Sequence, residues 1–340
     1  MKFLLFALIA LCLQCCKAQQ RSSEPPPKLR HFTPTRFSNK FTLNVTPVLH
    51  LHDGDTVSTE TIDATGRDKN GSFRNGGGNP LTGPFFIENA EPGDVLKITL
   101  NKVGLNRPYA YTTESFIARS VPDSISKLFK KGHLVRWKLD FESMTGHPDS
   151  SASPYADLTD FKIPLRPFLG CIGVAPANGK NEILSFFEGD FGGNMDFPAV
   201  AESAIIYLPV FHPGAYFYVG DGHAVQGDGE IAGNALETSL DVTFTVNVIK
   251  GGHSGIKTPR LENSTYIMTV GCDKSLDNAI KRATADLLNW LQRDYRLTLQ
   301  EATQVMSPGI EYTIPEIADP QVIVVARIRK ELLAGLKKVN

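Results

Sequence analysis

The residues best suited to chemistry are concentrated in one short segment, VGDGHAVQGDGE, which runs from Val219 to Glu230. An imidazole, a carboxamide and several carboxylates alternate there with glycines; they belong to Asp221, His223, Gln226, Asp228 and Glu230. Carboxylates held so close together repel one another, so we expect a cation to compensate their charge. One imidazole with carboxylates suits zinc, whereas carboxylates and carbonyls alone suit calcium.

Two further polar loops carry residues of the same kind. The segment GDFGGNMDFP places Asn194 and Asp196 after paired glycines, and TIDATG contains Asp63. If these loops and the first segment meet at one edge of a sheet, their side chains can surround an ion or a small ligand. The competing interpretation is a set of solvated turns, because Asp-Gly pairs commonly accept hydrogen bonds from their own backbone.

Other nucleophile and metal patterns are weaker. The segment VLHLHDG places His50 and His52 on one side of a strand, where they could form a metal pair. Their position at a strand end before a turn favours a solvated face instead. The sequence contains no G-x-S-x-G pattern, so nothing in it favours a serine nucleophile of the α/β-hydrolase type.

The elements that must position these residues are predominantly β. Short runs rich in β-branched and aromatic residues recur from Phe41 to Leu105 and from Val135 to Val248, with Gly, Pro and Asp at the breaks. The run SLDVTFTVNVI alternates cleanly and predicts a half-buried antiparallel strand. Its apolar face carries Leu240, Val242, Phe244, Val246 and Val248. The run AYFYV predicts a strand that feeds the glycine-rich loop containing Asp221.

The hydrophobic period becomes helical only in the C-terminal third. The run SLDNAIKRATADLLNWL predicts a helix with Ser275 at its N-cap. Thr298 and Glu301 match a capping box for a second helix through Val305, and QVIVVARI predicts a closing buried strand. The expected fold is α+β and predominantly β, an antiparallel sandwich or barrel-like body with a small C-terminal helical element.

The N-terminus has the order of a secretory signal peptide. Lys2 precedes the apolar run from Phe3 to Leu13, and the small residue Ala18 offers a cleavage site. Lipidation of Cys15 or Cys16 is the alternative, although the residues before them fit a lipobox poorly. We therefore expect residues 1–18 to be removed and the protein to be exported, either to a periplasm or out of the cell.

The sequence after the signal peptide is predicted to form one globular unit. We expect a Pro- and Ser-rich tether over 19–40 and a catalytic domain over 41–340, with no later segment apolar enough to span a membrane. Its 35 Lys and Arg against 36 Asp and Glu give a net charge of −1, which argues against a dedicated nucleic-acid binder. Cys171 and Cys272 remain after cleavage, either as a pair or as two buried thiols, so the fold does not rest on a disulfide framework.

Several long segments, in a consistent order, resemble the acetamidase/formamidase family. They are NPLTGPFFIENAEPGDVLKITL (79–100), FLGCIGVAP (168–176), GGNMDFP (192–198), YLPV (207–210), GDGHAVQGDGE (220–230), LET (236–238) and VGCDKSLDNAIKRATADLLNWL (270–291). The resemblance covers nearly all of the chain from Phe41 to Lys330. It implies a β-rich amidohydrolase that releases ammonia from a small amide such as formamide or acetamide, with a bound divalent metal, zinc or alternatively calcium.

The family's motifs fall on particular positions of this sequence. Its GGNxD pattern falls on Gly192, Gly193, Asn194 and Asp196, and its GDxHxxxGDGE pattern on Gly220, Asp221, His223, Gly227, Asp228, Gly229 and Glu230. The Asp of its early strand segment falls on Asp63. For these motifs and the residues beside them we expect metal ligation by Asp63, Asp196, Asp221 and His223, catalysis by Glu230, Asp228 and His223, and substrate contacts from Asn194, Gln226 and Gly227.

The leading hypothesis is metal-dependent hydrolysis of a small linear amide. A water activated by the metal attacks the amide carbonyl, and a carboxylate acts first as general base and then as general acid for the leaving nitrogen. The expected partner is then a small-molecule amide. The sequence leaves open whether the chain also associates with a second copy of itself. The alternative is an exported β-sandwich module that binds a metal and a polar ligand without turning it over.

Overall fold

Strands outnumber helices in the described part of the chain. The structure is a computed structural model that describes residues 26–129, 133–151, 158, 160–177, 182–251 and 255–338. The expected signal peptide, with Cys15 and Cys16, lies outside the described residues.

The elements are named here in chain order. The strands are β1 (Leu29–His31), β2 (Lys40–Thr42), β3 (Leu49–Leu51), β4 (Thr56–Glu60), β5 (Leu81–Ile87), β6 (Val95–Leu105), β7 (Tyr109–Thr113), β8 (Leu134–Asp140), β9 (Thr145–Pro148), β10 (Ile163–Pro164), β11 (Phe168–Gly173), β12 (Glu182–Leu184), β13 (Glu188–Gly189), β14 (Gly192–Asn194), β15 (Ile205–Pro209), β16 (Phe217–His223), β17 (Glu237–Thr238), β18 (Leu240–Ile249), β19 (Arg260–Glu262), β20 (Tyr266–Asp273), β21 (Ile310–Glu316) and β22 (Val322–Arg329). The helices are α1 (Asp123–Ser126), α2 (Leu276–Tyr295), α3 (Leu299–Gly309) and α4 (Lys330–Leu333).

The strands form two large sheets and one small one. The first sheet has the order β1-β4-β18-β6-β15-β19-β20-β22-β21. The second has the order β10-β9-β8-β7-β17-β16-β11-β14-β13, with β5 also paired to β16 and β3 to β5; strands β12 and β2 form the small sheet. Each large sheet has two separate edges, so the body is a sandwich and not a closed barrel.

The two large sheets share one apolar core. The ring of Phe244, on β18 of the first sheet, stands edge-on to Phe85 and Phe217 on β5 and β16 of the second, with centroid distances of 5.2 and 5.1 Å. Edge-to-face packing at this distance is the favourable arrangement of aromatic rings. The predicted α+β, predominantly β sandwich is confirmed, with two departures from antiparallel pairing, β1 with β4 and β3 with β5.

The segment expected to be a tether begins to fold before residue 40. Strand β1 lies within it and pairs along β4, and the ring of Phe32 packs edge-on against Phe85 at 5.9 Å. An aromatic side chain that can be buried stabilises such a segment, which polar and proline content alone does not reveal.

Strand β16 is longer than its sequence suggests. The glycines after AYFYV indicated a loop, yet β16 continues through Gly220 and Gly222 to His223, and all of it is buried. A Cβ on Gly220 would lie 2.8 Å from the backbone oxygen of Pro80, and one on Gly222 would lie 2.6 Å from that of Thr238. Glycine is required at both positions because neighbouring backbone approaches closely. The strand thereby carries His223 into the interior.

The predicted strand SLDVTFTVNVI is confirmed as β18. Its alternate residues Leu240, Val242, Phe244 and Val246 are fully buried, whereas Val248 is only partly buried. The C-terminal run QVIVVARI is confirmed as the buried strand β22. These are the segments in which a single period runs without interruption by Gly or Pro.

Both C-terminal helices are confirmed. The side chain of Thr298 accepts from the Glu301 N–H at 3.2 Å, and Glu301 accepts from the Thr298 N–H at 2.8 Å, which is the predicted capping box. Helix α3 runs beyond Val305 to Gly309. Ser275 is the N-cap of α2, but its side chain makes no capping hydrogen bond. No helix within the described ranges is both long and apolar enough to cross a membrane.

The two cysteines of the body do not pair. Cys171 on β11 and Cys272 on β20 are both buried free thiols. Burial raises the pKa of each thiol, so both are held in the neutral form. Of the two interpretations of these residues, separate buried thiols is the one that the structure shows.

Replacement of Gly271 by Ala tests how closely α2 lies on the first sheet. A Cβ on this β20 residue would lie 2.0 Å from the Ala279 oxygen and 2.6 Å from the Ala283 nitrogen, and the helix backbone cannot swing aside. We expect Gly271→Ala to lower the free energy of unfolding by at least about 2 kcal/mol, measured by urea denaturation. The control is Gly335→Ala, where no atom lies within 4 Å. Equal stability of the two variants would contradict this packing.

Candidate functional site

His223 lies at the centre of a buried cluster of carboxyl groups. Its Nε2 atom is 3.4 Å from an Asp221 oxygen and 3.3 Å from a Glu237 oxygen, and its Nδ1 atom is 3.8 Å from an Asp196 oxygen. The imidazole and these three carboxylates are each at most 2% exposed. On its remaining face, the ring packs edge-on against Phe168 at 4.8 Å.

The second sheet brings these side chains together through its backbone register. Strand β16 carries Asp221 and His223, and β17 places Glu237 directly opposite His223. Asp196 follows β14. Strand β14 pairs with β11, and β11 pairs with the edge of β16 opposite β17. Between them lies Gly170 on β11, where a Cβ would be 2.5 Å from an oxygen of Asp196 and also from one of Asp221. The site therefore occupies the space that a side chain at position 170 would fill.

Several of the acidic residues adopt strained backbone conformations. Asp196, Asp221 and Glu230 have φ angles of 42°, 56° and 46°, a region that favours glycine. Each such residue costs of the order of 1 kcal/mol, which persists only when the surroundings hold it in place. Strain of this kind is concentrated at functional sites, and here it falls on the side chains that face His223.

The cluster contains two groups that could hold a metal ion. In one, Asp196, His223 and Glu230 offer ligand atoms within 4.8 Å of one another; in the other, Asp221, His223 and Glu237 do so. Buried atoms without a hydrogen-bond partner include Asp196 Oδ1, Asp221 Oδ1, His223 Nδ1 and Glu237 Oε2. Unpaired buried acceptors cost several kcal/mol unless a cation or donor satisfies them. The donor set therefore fits a divalent cation.

Burial and the charges of neighbouring side chains shift the pKa values of the residues in the cluster. Burial by itself would lower the pKa of His223, but the carboxylates of Glu237 and Asp221 raise it well above its usual value. Burial raises the pKa of Asp196 well above its usual range; His223 opposes this shift and Asp221 reinforces it. Burial, reinforced by Asp196, also raises the pKa of Glu230 well above normal. Without a cation the cluster must hold extra protons.

Further acidic residues lie close to the carboxylates that surround His223. Asn194, whose side chain was expected to contact substrate, donates instead to Asp196 at 2.5 Å and to Asp319 at 2.9 Å. Its oxygen accepts from Cys171 at 2.8 Å. Burial, together with the charge of Glu316, raises the pKa of Asp319 to about 7. Asn194 therefore joins Asp196 to the segment that follows β21.

Asp63 lies outside both metal groups. Its carboxylate is 2.7 Å from Arg107, and both side chains are fully buried. Its other oxygen accepts from the Thr65 N–H and hydroxyl and from the Arg67 N–H. The Arg107 guanidinium also donates to the carbonyl of Glu237 at 3.4 Å. The pair thus supports the short strand β17, a structural contribution that the position of Asp63 in the sequence did not reveal.

The residues of the QGDGE turn (226–230) are divided between the site and the surface. An open cavity of about 230 Å³ is lined by Gln226, Gly227, Asp228 and Glu230. Gln226 donates from Nε2 to the backbone oxygens of Asp196 at 2.8 Å and Pro315 at 3.0 Å, which leaves its buried Oε1 without a partner. Asp228 is exposed and accepts from the Thr313 hydroxyl at 2.6 Å. Only Glu230 joins both the metal group and the cavity.

The histidine pair at 50 and 52 takes no part in either group. His50 is exposed and contacts Glu88 at 2.7 Å. His52 lies in the turn after β3 and is partly buried. The solvated interpretation of these residues agrees with this placement.

Sequence reasoning missed several acidic members of the cluster. Glu237 lies in the LET segment, whose resemblance was noted without a role for its Glu. Glu188, Glu316 and Asp319 are far from the glycine-rich segment in sequence, and no local pattern marks them. They share only one feature of the sequence, since each is an acidic residue in or beside a strand of apolar neighbours. That feature is too common to identify a site.

Comparison with known proteins identifies one protein family that matches most of the chain. A model of the Acetamidase/Formamidase family matches residues 28–185 and 188–318. A candidate formamidase of Schizosaccharomyces pombe is 25% identical over 261 residues, which span 61% of this chain and 62% of that protein. The chain thus spans less than two thirds of the length of this curated relative.

Solved structures are similar over nearly the whole chain. An acetamidase from Yersinia enterocolitica has a TM-score of 0.76 and 29% identity, and covers 92% of this chain and 95% of its own. A recombinant predicted acetamidase/formamidase from Thermoanaerobacter tengcongensis has a TM-score of 0.75 and 26% identity, and covers 91% and 97%.

Glu188 allows the charge balance to be tested without altering the groups around His223. Both its carboxyl oxygens are buried without hydrogen-bond partners, and burial, with Asp319 and Glu316 nearby, raises its pKa to about 9. The folded protein therefore holds a proton that the unfolded chain loses above its ordinary value of 4.5. Because the folded state binds more protons in this window, stability falls as the pH rises, by up to about 1.4 kcal/mol per pH unit for this group.

We expect Glu188→Gln to remove that contribution, because the amide cannot ionise. Urea unfolding of the metal-free protein, measured from about pH 5 to about pH 9, should give a shallower decline in stability than the wild type. Glu331→Gln, at a side chain that is 74% exposed, is the control and should keep the wild-type slope. A wild-type slope in Glu188→Gln would show that the carboxyl is already ionised in the folded protein.

Proposed function

This chain belongs to the acetamidase/formamidase family, and we propose that it hydrolyses a small linear amide to a carboxylate and ammonia with the aid of a divalent cation. The observation that carries the proposal is the coincidence of three features at one place. Asp196, His223 and Glu230 form a buried group of ligand atoms, and Glu230 also lines an open cavity. Gln226 lines the same cavity, and its side-chain oxygen has no hydrogen-bond partner.

The surroundings of the two ring nitrogens of His223 favour one of the two candidate groups. Its Nε2 atom faces the carboxylates of Asp221 and Glu237, whereas its Nδ1 atom has no hydrogen-bond partner. A metal-binding histidine generally donates its second N–H to a carboxylate, which fixes the ring and its tautomer. We therefore assign the cation to the Nδ1 side, with Asp196 and Glu230, and a supporting role to Asp221 and Glu237.

The donor set favours zinc. One imidazole and two carboxylates are the ligand types of many zinc sites, while calcium prefers oxygen alone. A divalent cation at this place supplies a Lewis acid and lowers the pKa of a coordinated water.

The side chains of the protein account for the remaining steps. One oxygen of Glu230 suffices to hold a cation. The carboxyl group, which also shares a hydrogen bond with Glu316, would use its second oxygen to accept the proton of the attacking water and to return it to the leaving nitrogen. Gln226 Oε1 accepts from an N–H of the amide and so orients the nitrogen towards Glu230. Gly227, where no atom lies within 4 Å of a Cβ position, leaves its backbone accessible to the developing oxyanion.

The exposed position of Asp228 makes it a poor choice for proton transfer. Its carboxylate already accepts from Thr313, and no burial separates it from bulk water. Glu230 is buried, its pKa is raised, and it lies beside the nitrogen that Gln226 would hold. We therefore assign general base and acid catalysis to Glu230 alone.

We also propose that the protein is exported. The support is the N-terminal order of Lys2, the apolar run to Leu13 and the small residue Ala18. A mature protein that begins at Gln19 would agree with cleavage at this site, whereas a lipid on Cys15 or Cys16 would indicate anchoring.

Ammonia release from formamide, acetamide, propionamide and urea, with zinc supplied, tests the activity. We expect release from at least one linear amide. We expect His223→Ala to lose its bound metal and at least about 100-fold in rate, because His223 belongs to both candidate metal groups. His50→Ala, at an exposed histidine, is the control for loss of a histidine as such. Metal binding without ammonia from any substrate would instead favour a non-catalytic binding module.

A further inference from the structure

We infer that the cavity beside Glu230 is a subsite for an apolar substituent, so that the preferred substrates are uncharged amides with an alkyl or aryl group larger than the methyl of acetamide. This inference rests on the proposed function and extends it to a substrate class. It is carried by the shape, lining and charge of the cavity.

The cavity is larger than the smallest amides require. Its volume is about 230 Å³, whereas one water molecule takes about 30 Å³ of liquid volume. Acetamide has only four non-hydrogen atoms and would leave most of the space to water. An amide with a chain of several carbons fills it and removes more apolar surface from solvent.

The cavity has one polar end and one apolar wall. Gln226 and Glu230 form the polar end, where the amide group would lie. The apolar part of the lining includes Ile163, Val225, Ile231 and Leu236. This arrangement suits a ligand that is polar at one end and apolar along its length.

The apolar wall is preformed. Val225 and Leu236 are 6% and 7% exposed and belong to a small buried cluster that also contains Ala110 and Leu139. Their backbones are joined by a hydrogen bond from the Leu236 N–H to the Val225 oxygen at 3.1 Å. Because this backbone hydrogen bond and the buried cluster hold the wall, the cavity does not need to be opened by the ligand, and little binding energy is spent on ordering it.

The outer end of the cavity is continuous with a second apolar cleft. Thr112, Trp137 and Ala232 line both, and the second cleft, of about 640 Å³, also has Phe116 and Phe129 in its wall. A longer or aromatic substituent could therefore extend towards the aromatic side chains of the second cleft.

The charge around the cavity disfavours anionic substituents. Asp228 lies exposed at its rim, and Glu230 and Asp196 lie behind its polar end. Among the residues that the structure describes, no Lys or Arg lines it. A substrate carboxylate placed here would be repelled without a compensating cation of its own.

A chain-length series of primary amides from acetamide to hexanamide tests the subsite. Each buried methylene contributes enough transfer free energy to raise kcat/KM about fourfold. We expect a progressive rise along the series, and a sharp fall when the terminal methyl of hexanamide is replaced by a carboxylate. A flat or falling series in the wild type would overturn the inference.

Two variants locate the effect in this cavity. Ile231→Ser weakens the apolar wall at a side chain that is 43% exposed, and Ala232→Leu narrows the outer end. Both should lower kcat/KM for hexanamide more than for acetamide, by about tenfold or more in the ratio. Ile280→Ser, at a side chain of α2 that is 36% exposed and outside the cavity, is the matched control and should keep the wild-type ratio. A wild-type ratio in both cavity variants would overturn the inference.

Direct binding separates this inference from the proposed activity. Isothermal titration of the zinc-loaded protein with hexanamide and acetamide should show tighter binding of hexanamide, and Ile231→Ser should reduce the difference. If no amide releases ammonia, the proposed function fails, while this measurement still decides whether the cavity takes an apolar group. Equal affinity of the two amides for the wild type would contradict the subsite.

Discussion

The burial of several carboxyl groups around one imidazole is the constraint on which the rest of the site depends. Asp196, Asp221 and Glu237 lie within 3.8 Å of the His223 ring and are almost completely removed from water. Charges so placed are stable only with protons, a cation or hydrogen-bond donors to compensate them. The raised pKa values and the unpaired oxygens both result from the same excess of negative charge. A divalent cation would compensate this charge and give the oxygens a partner.

The sandwich supplies the rigidity that such a cluster needs. The site is built on paired strands, and the absence of a side chain at Gly170 provides its space. The Asp63–Arg107 pair supports β17 from behind, so that even an acidic residue outside the metal groups contributes to the position of Glu237. The positive φ angles of Asp196 and Asp221 show that the backbone accepts strain to aim these carboxylates at His223.

Local sequence information accounts for the elements but not for all the partners. Strand β18 and helices α2 and α3 follow from uninterrupted periods and a capping box, and His223, Asp196, Asp221 and Glu230 follow from motif resemblance. The end of β16 was misread because Gly220 and Gly222 suggest a loop, whereas the sheet requires them for close backbone approach. The pairing of Asp63 with Arg107, and the arrival of Glu316 and Asp319 behind the cluster, depend on tertiary packing that no local pattern encodes.

The position of β21 has a consequence for the order in which the protein can assemble. Glu316 and the neighbouring Asp319 reach the site from beyond both long helices, and the Pro315 carbonyl holds Gln226 in place. A nascent chain that has emerged only as far as β18 therefore has the residues around His223 but lacks the segment that closes over them. Because a domain of this kind folds as a unit during or after synthesis, the complete cation site forms only after β21 has joined the sheet. If the proposed export takes place before the chain has folded, the metal available in the destination compartment would decide which ion the proposed site takes.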